Sequence, residues 1–280
     1  MSNKIDAIIK TRKIAADILV KSLVNIYGKS EIEIREKILK EISTRADIYG
    51  EGWYSPPPFG VCVLLDGNPY TRLQFKSLRN PSAWPIENSL LEKESVGIVY
   101  LSPVDKTTGM LGDIGLTIYN GENKEIKEHI RKCYQVIRAI AEKAEVGMHF
   151  NDLYKVADGL FENNLKIIEW MTTTNDPNLG INLGHTIPGS YDDNLNPNNS
   201  FEEIKDFITK KRIYINKAED FKIPETCAFT VESRLVDKEK IYLPNVFFHF
   251  VVCFNKGEKT ILDNFDKIFS TVGMDYMNIK

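Results

Sequence analysis

Residues 12–34 read RKIAADILVKSLVNIYGKSEIEI, a pattern that predicts two consecutive helices. Apolar residues recur at helical spacing as far as Gly28, and glycine commonly follows the end of a helix. Ser30 is followed three residues later by Glu33, which makes a capping box of the kind that opens helices. We therefore expect a long helix, a tight turn at Gly28, and a second helix after Ser30.

A second copy of this pattern begins 119 residues further along the chain. Three landmarks share that offset, namely Arg12 with Arg131, Gly28 with Gly147, and Ile34 with Leu153. Two long helices that end in glycine can resemble each other by chance, but agreement at a single offset favours an internal duplication. We expect one domain covering residues 1–280, with repeated halves at about residues 8–121 and 127–265.

Strand patterns follow each predicted helix pair. Short apolar runs lie at residues 60–65, 96–101 and 115–119 in the first half and at residues 227–231 and 246–254 in the second. Helices that cover one face of a curved antiparallel sheet make an α+β domain. Residues 191–217 are polar and rich in asparagine, and we expect a surface insertion there with a short helix near residues 201–209.

The composition is that of an ordinary globular protein, with 42% hydrophobic and 27% charged residues. The net charge is only −3 and no basic stripe is present, so neither nucleic acid nor a membrane surface is an expected partner. The N-terminal segment lacks the apolar core and cleavage site of a signal peptide. Four scattered cysteines in mostly apolar surroundings indicate buried thiols in a reducing compartment, which predicts a cytoplasmic protein.

Four polar residues stand where a strand or turn pattern otherwise predicts apolar side chains: Asp113, His185, Glu232 and His249. Taken singly, each is explained by an ordinary polar side chain that finds a hydrogen-bond partner at a strand end. Taken together, carboxylates and imidazoles that converge in one pocket can bind a divalent cation such as Mn²⁺, Fe²⁺, Co²⁺ or Zn²⁺. These four residues are therefore candidate metal ligands.

Three short motifs around these residues resemble motifs of the creatinase, methionine aminopeptidase and prolidase family. Residues 112–121 resemble the strand that carries the family's second metal aspartate, residues 184–187 its metal-histidine turn, and residues 229–232 its metal-glutamate strand. The resemblance extends over about residues 8–265. It implies the duplicated pita-bread fold, a peptide or small-molecule substrate and a homodimer, with His185 and Glu232 as catalytic residues.

The sequence departs from the family pattern at two metal positions. Ser102 stands eleven residues before Asp113, where the family has its first metal aspartate. At the last ligand position, one alignment places Phe248 and another, with a shorter turn, places His249. Because two cations need a bridging carboxylate with ligands on both sides, we expect at most a mononuclear site. We favour His249 facing the pocket, since an imidazole is costly to bury among apolar side chains.

Two family histidines that assist the transition state are also absent from this sequence. Tyr70 and Arg72 lie near one of these positions, and Asp192 stands at the other. The resemblance implies that these three residues line the pocket and bind substrate. Arg72 could then pair with a substrate carboxylate.

Three functions are consistent with these observations. The leading hypothesis is metal-dependent hydrolysis of a small amide or peptide, with one cation per chain. The second is a metal-free hydrolase of C–N bonds that resembles creatinase, in which an imidazole and carboxylates transfer protons. The third is a pseudoenzyme that keeps the pocket as a surface for binding a peptide or protein. Metal content distinguishes the first hypothesis from the other two.

Overall fold

Two helix pairs frame the fold, in the places that the sequence predicts. The computed structural model describes residues 2–54, 58–75, 77–161, 164–168, 181–192, 194–196 and 198–278. The helices are α1 (Ser2–Ser22), α2 (Glu31–Ser43), α3 (Lys124–Lys143), α4 (Phe150–Leu160), α5 (Phe201–Lys211) and α6 (Asp266–Thr271). Helix α1 packs on α2, and α3 packs on α4.

The first helix pair follows the local signals of its sequence. Helix α2 begins at the predicted capping box, in which the Glu33 amide donates to Ser30 Oγ over 3.2 Å and the Ser30 amide donates to Glu33 Oε2 over 2.9 Å. Helix α1 ends at Ser22, well before Gly28. The chain then passes through a turn in which Asn25 has a left-handed φ of 53°, a value that an α-helix does not contain.

Within each helix pair, the turn between the two helices contains a glycine in the left-handed conformation. Gly28 and Gly147 have φ of 72° and 86°, which a side chain would disfavour. The Gly28 amide donates to the Leu91 carbonyl over 2.9 Å, and the Gly147 amide donates to the Ile223 carbonyl over 2.8 Å. The two glycines are separated by the offset of the predicted repeat, whereas the carbonyls that they bind are 132 residues apart (223−91). The duplication itself stays a prediction.

Within the described residues, the strands form three antiparallel sheets. They are β1 (Val61–Asp66), β2 (Val96–Leu101), β3 (Ile114–Ile118), β4 (Leu165–Ile167), β5 (Cys227–Val231), β6 (Arg234–Asp237), β7 (Val246–Phe247), β8 (Phe250–Asn255) and β9 (Glu258–Leu262). The strand orders are β1–β2–β3, β4–β6–β7 and β5–β8–β9. Helices packed on antiparallel sheets confirm the predicted α+β class.

The strand predicted over residues 246–254 is two strands, β7 and β8, separated by Phe248 and His249. The reason is a change of partner: β7 pairs with β6, whereas β8 pairs with β5. Between them, Phe248 forms a bridge with Leu116, and the His249 amide donates to the Gly115 carbonyl over 2.9 Å. Through Phe248 and His249, the second half of the chain therefore pairs with the start of β3 in the first half.

The segment predicted as an insertion contains helix α5. This helix has its own capping box at Ser200 and Glu203 and packs through buried Ile204 and Ile208.

The four cysteines, Cys62, Cys133, Cys227 and Cys253, are buried and unbridged, as expected. Across the described ranges, no helix has the length and apolar character needed to cross a membrane.

Candidate functional site

Asp113, His185, Glu232 and His249 come from four separate segments and meet beside one cavity. Glu232 Oε1 lies 3.3 Å from His185 Nε2, and Glu232 Oε2 lies 3.4 Å from His249 Nε2. Asp113 Oδ2 lies 3.9 Å from His249 Nε2. The Glu232 side chain is 19% exposed, whereas the other three are at most 5% exposed. Glu232 is thus the member of the group most open to a ligand in the cavity.

The interruption between β7 and β8 directs His249 toward this group and Phe248 away from it. The Phe248 ring packs on the Tyr134 ring of α3, with centroids 5.1 Å apart, and on the Phe265 ring at 5.7 Å. The His249 side chain is fully buried. Within the described ranges, neither of its ring nitrogens has a hydrogen-bond partner. A buried imidazole in this condition needs a partner that the described protein atoms do not supply.

His185 is held by a segment that runs beside β5. The His185 carbonyl accepts from the Thr230 amide over 2.8 Å. Gly184 makes this approach possible, because a Cβ at that position would lie 2.2 Å from the Thr230 carbonyl oxygen. His185 Nδ1 lies 2.9 Å from the Thr186 carbonyl, which can only accept, so Nδ1 carries the proton. The lone pair on His185 Nε2 therefore faces Glu232.

Burial determines the protonation of the four groups. It raises the pKa of Glu232 to about 8, with the charge of Asp113 adding to the effect. Burial also raises the pKa of Asp113 to about 7, although hydrogen bonds from Trp53 and Tyr100 and the charge of Arg12 act in the opposite direction. Burial lowers the pKa of His185 to about 3 and that of His249 well below its usual value. At neutral pH both imidazoles are therefore uncharged, with lone pairs available to a ligand.

Two residues that the motifs do not include fix the position of Asp113. Trp53 Nε1 donates to both carboxylate oxygens of Asp113, over 2.9 Å to Oδ1 and 2.8 Å to Oδ2. Arg12 of α1 is fully buried and donates to the backbone carbonyls of Asp113, His249 and Asp263. The sequence carries one signal for Arg12, since it is a landmark of the predicted repeat. We find no local sequence signal for the role of Trp53.

The cavity beside the four residues has aromatic and aliphatic walls and two guanidinium groups. Its lining includes Trp53, Tyr54, Phe75, Leu78, Arg79, Ile98, Tyr100, Asn182, Arg212, Tyr214 and Phe247, together with His185 and Glu232. Arg79 stacks over the Tyr54 ring at 4.8 Å, and Arg212 stacks over the Trp53 ring at 4.7 Å. This lining suits a small molecule with an apolar body and a negatively charged end.

Tyr70, Arg72 and Asp192 do not line this cavity, contrary to the expectation from the sequence. The Arg72 guanidinium makes a bidentate pair with Glu31, at 2.7 and 3.2 Å, because this fully buried carboxylate needs a counter-charge. The Asp192 carboxylate accepts from the Asn194 amide within its own turn, and Tyr70 is buried beside a turn at Gly67. The guanidinium groups at the cavity belong to Arg79 and Arg212 instead.

The four candidate ligands do not converge on one point as they stand. His185 faces one oxygen of Glu232 and His249 faces the other. In the described part of the chain, no group of three or more His, Cys, Asp or Glu side chains is close enough to hold a metal ion. The donor types nevertheless suit a borderline divalent cation, because two neutral imidazoles lie beside a carboxylate.

Comparison with known proteins identifies the family. Residues 6–252 match the model of the metallopeptidase family M24, so the chain belongs to this family. The comparison with curated protein sequences gave no match. The family assignment confirms the resemblance that the three sequence motifs indicate.

Solved structures with related folds include three peptidases. An X-Pro aminopeptidase from Thermotoga maritima has a TM-score of 0.63 and 14% identity over 93% of this chain and 61% of its own. A prolidase from Pyrococcus horikoshii OT3 has a TM-score of 0.63 and 13% identity over 93% of this chain and 62% of its own. A methionine aminopeptidase from Thermotoga maritima has a TM-score of 0.66 and 12% identity over 93% and 96%.

These similarities establish the pita-bread fold that the sequence predicts. Because the sequence identities are so low, the similarities show a common fold and nothing about activity. The chain spans about three fifths of the length of the first two relatives and nearly all of the third.

Proposed function

We propose that this protein is a peptidase-like hydrolase that cleaves a small amide or peptide with the help of a single divalent cation. The observation that carries the proposal is His249, a fully buried imidazole that lies 3.4 Å from one carboxylate and 3.9 Å from another. Its ring nitrogens have no hydrogen-bond partner among the described atoms. A cation would satisfy the imidazole and also offset the charge of the carboxylates.

Three residues would hold the cation: His185, Glu232 and His249. The Nε2 atoms of His185 and His249 lie 3.3 and 3.4 Å, respectively, from the two carboxylate oxygens of Glu232. Neighbouring ligands of one ion are separated by roughly 3 to 3.5 Å when each bond is about 2.1 Å long. Because His185 and His249 lie beside different oxygens of Glu232, the Glu232 side chain would have to move for the three residues to share one ion.

Each residue of the site has a distinct part in the proposed hydrolysis. A bound cation would polarise the scissile carbonyl and lower the pKa of a water molecule. Glu232 is the most exposed of the four groups, and its carboxylate would accept a proton once an adjacent positive charge had lowered its pKa from about 8. His185 keeps Nε2 toward the cavity through its bond to Thr186. The guanidinium groups of Arg79 and Arg212 would orient a substrate carboxylate against the aromatic walls.

Metal analysis tests this proposal directly. We expect protein purified without chelators and then loaded with Mn²⁺, Co²⁺ or Zn²⁺ to retain about one ion per chain. His249→Leu removes the orphaned imidazole and should lower the retained metal at least about tenfold. The matched control is His149→Leu, because His149 lies at the start of α4 and bonds to the Asp220 carbonyl. Only traces of metal in the loaded wild-type protein would refute the proposal.

One observation favours a second candidate, a pocket that binds peptide without a metal. His185 and His249 face different oxygens of Glu232, and within the described residues no three ligand side chains are close enough to hold a metal ion. Suitable substrate probes are Ala-Pro, Met-Pro and Met-Ala-Ser, which cover the prolidase and aminopeptidase activities for which the related structures are named. Cleavage that stops after exhaustive chelation supports the metal-dependent hydrolase. Cleavage that persists supports a metal-free hydrolase, and peptide binding without cleavage supports a binding protein.

A further inference from the structure

We propose that Trp53 takes the place of a second cation at Asp113, and that Ser102 clamps the segment that carries Trp53. The inference concerns the same site as the proposed function and deepens it, since it restricts the site to one cation. It rests on the contacts of Trp53, Ser102 and their neighbours.

The first observation is the position of the Trp53 indole. Its Nε1 lies 2.9 and 2.8 Å from the two carboxylate oxygens of Asp113, so a single N–H group is shared between them. A cation bound to both oxygens of a carboxylate occupies this same side of the group. Trp53 is 4% exposed and its indole nitrogen can only donate. The indole therefore supplies positive partial charge where a cation would otherwise lie.

The second observation is that Ser102 binds the backbone around Trp53. The Trp53 amide donates to the Ser102 carbonyl over 3.1 Å, and the Tyr54 amide donates to Ser102 Oγ over 3.4 Å. The Ser102 amide and hydroxyl both donate to the Gly60 carbonyl, over 3.2 and 3.3 Å. Ser102 thus ties the backbone at Trp53 and Tyr54 to that at Gly60. The residue that replaces a family aspartate has a structural task in this protein.

The third observation is the lack of space around the Ser102 side chain. A Cβ at Gly52 would lie 2.2 Å from Ser102 Oγ, and a Cβ at Gly60 would lie 2.5 Å from it. Backbone without side chains therefore packs directly on this hydroxyl. An aspartate at position 102 is larger and would force the backbone at Gly52 and Gly60 away from this side chain. One arrangement therefore contains Ser102, the two glycines and Trp53. In it, Ser102 stands where the family has a metal-binding aspartate, and the Trp53 indole lies where a second cation would bind Asp113.

The test follows the indole N–H of Trp53 while Zn²⁺ is added. The protein carries three tryptophans, and Trp53→Phe identifies the Trp53 signal in spectra of ¹⁵N-indole-labelled protein. We expect this N–H to exchange slowly with solvent and to persist in a tenfold excess of Zn²⁺, with no more than one ion bound per chain. Trp53→Phe keeps an aromatic ring but removes the N–H donor together with part of the indole volume, so calorimetry of this variant should show Zn²⁺ binding beyond that of the wild type.

Trp84→Phe is the matched control, because the Trp84 indole donates over 2.7 Å to the Leu78 carbonyl, which is an uncharged acceptor. It should leave the Zn²⁺ stoichiometry unchanged. Two Zn²⁺ ions in the wild-type protein, loss of the Trp53 N–H on adding Zn²⁺, or an unchanged stoichiometry in Trp53→Phe would overturn the inference. If the wild type binds no Zn²⁺ and Trp53→Phe does, the inference stands and the proposed single-cation hydrolase fails.

Discussion

Glu232→Gln is expected to lower the kcat/KM for peptide hydrolysis by about 100-fold or more. Glutamine has almost the size of glutamate and can still accept from Thr230 Oγ, which lies 3.1 Å from Glu232 Oε1. It carries no negative charge, so it cannot accept a proton and is a weaker ligand than a carboxylate. Because His185 and His249 both face this side chain, the retained metal should fall together with the activity.

The control for this prediction is Glu225→Gln. Glu225 is exposed, lies shortly before β5, and contributes its backbone carbonyl to a bond with the Gly257 amide. Its replacement should leave both activity and metal content unchanged. A folded Glu232→Gln protein that cleaves Ala-Pro or Met-Ala-Ser as fast as the wild type would remove Glu232 from the chemistry.

The local part of the fold and site follows from sequence because it depends on neighbouring residues. The capping box at Ser30 needs only Glu33, and the glycine before His185 is required by the close approach to Thr230. Strand ends and turns of this kind are encoded within a few residues. Together with the resemblance of the three motifs to a known family, they indicate Asp113, His185 and Glu232 as candidate residues of one site.

The remainder of the site depends on contacts between distant segments. Whether Phe248 or His249 faces the cavity is decided by where the chain changes its strand partner, which involves Leu116 of β3. Arg72 pairs with Glu31 instead of lining the cavity, because a buried carboxylate elsewhere in the fold recruits it. The bond from Trp53 to Asp113 spans 60 positions and has no periodic signal.

Arg12→Met is expected to destabilise the protein by about 3 kcal/mol or more, since two buried backbone carbonyls and one partly buried carbonyl lose a charged donor. The guanidinium donates to Asp113 O, to His249 O over 2.7 Å and to Asp263 O over 2.9 Å. Burial lowers the Arg12 pKa to about 9, with the charges of Asp113 and Asp263 acting in the opposite direction, so the group stays charged at neutral pH. Methionine keeps an apolar stem of similar length but supplies no donor.

The predicted repeat supplies the matched control for this variant. Arg131 occupies the position of Arg12 in the second half, but it is only half-buried and donates to a single carbonyl, that of Tyr276, over 3.1 and 2.9 Å. Arg131→Met should therefore cost only about 1 kcal/mol. Urea unfolding of the two variants measures the difference. Equal losses would show that Arg12 does not hold the backbone of Asp113 and His249 together, and that the site is positioned by its strands alone.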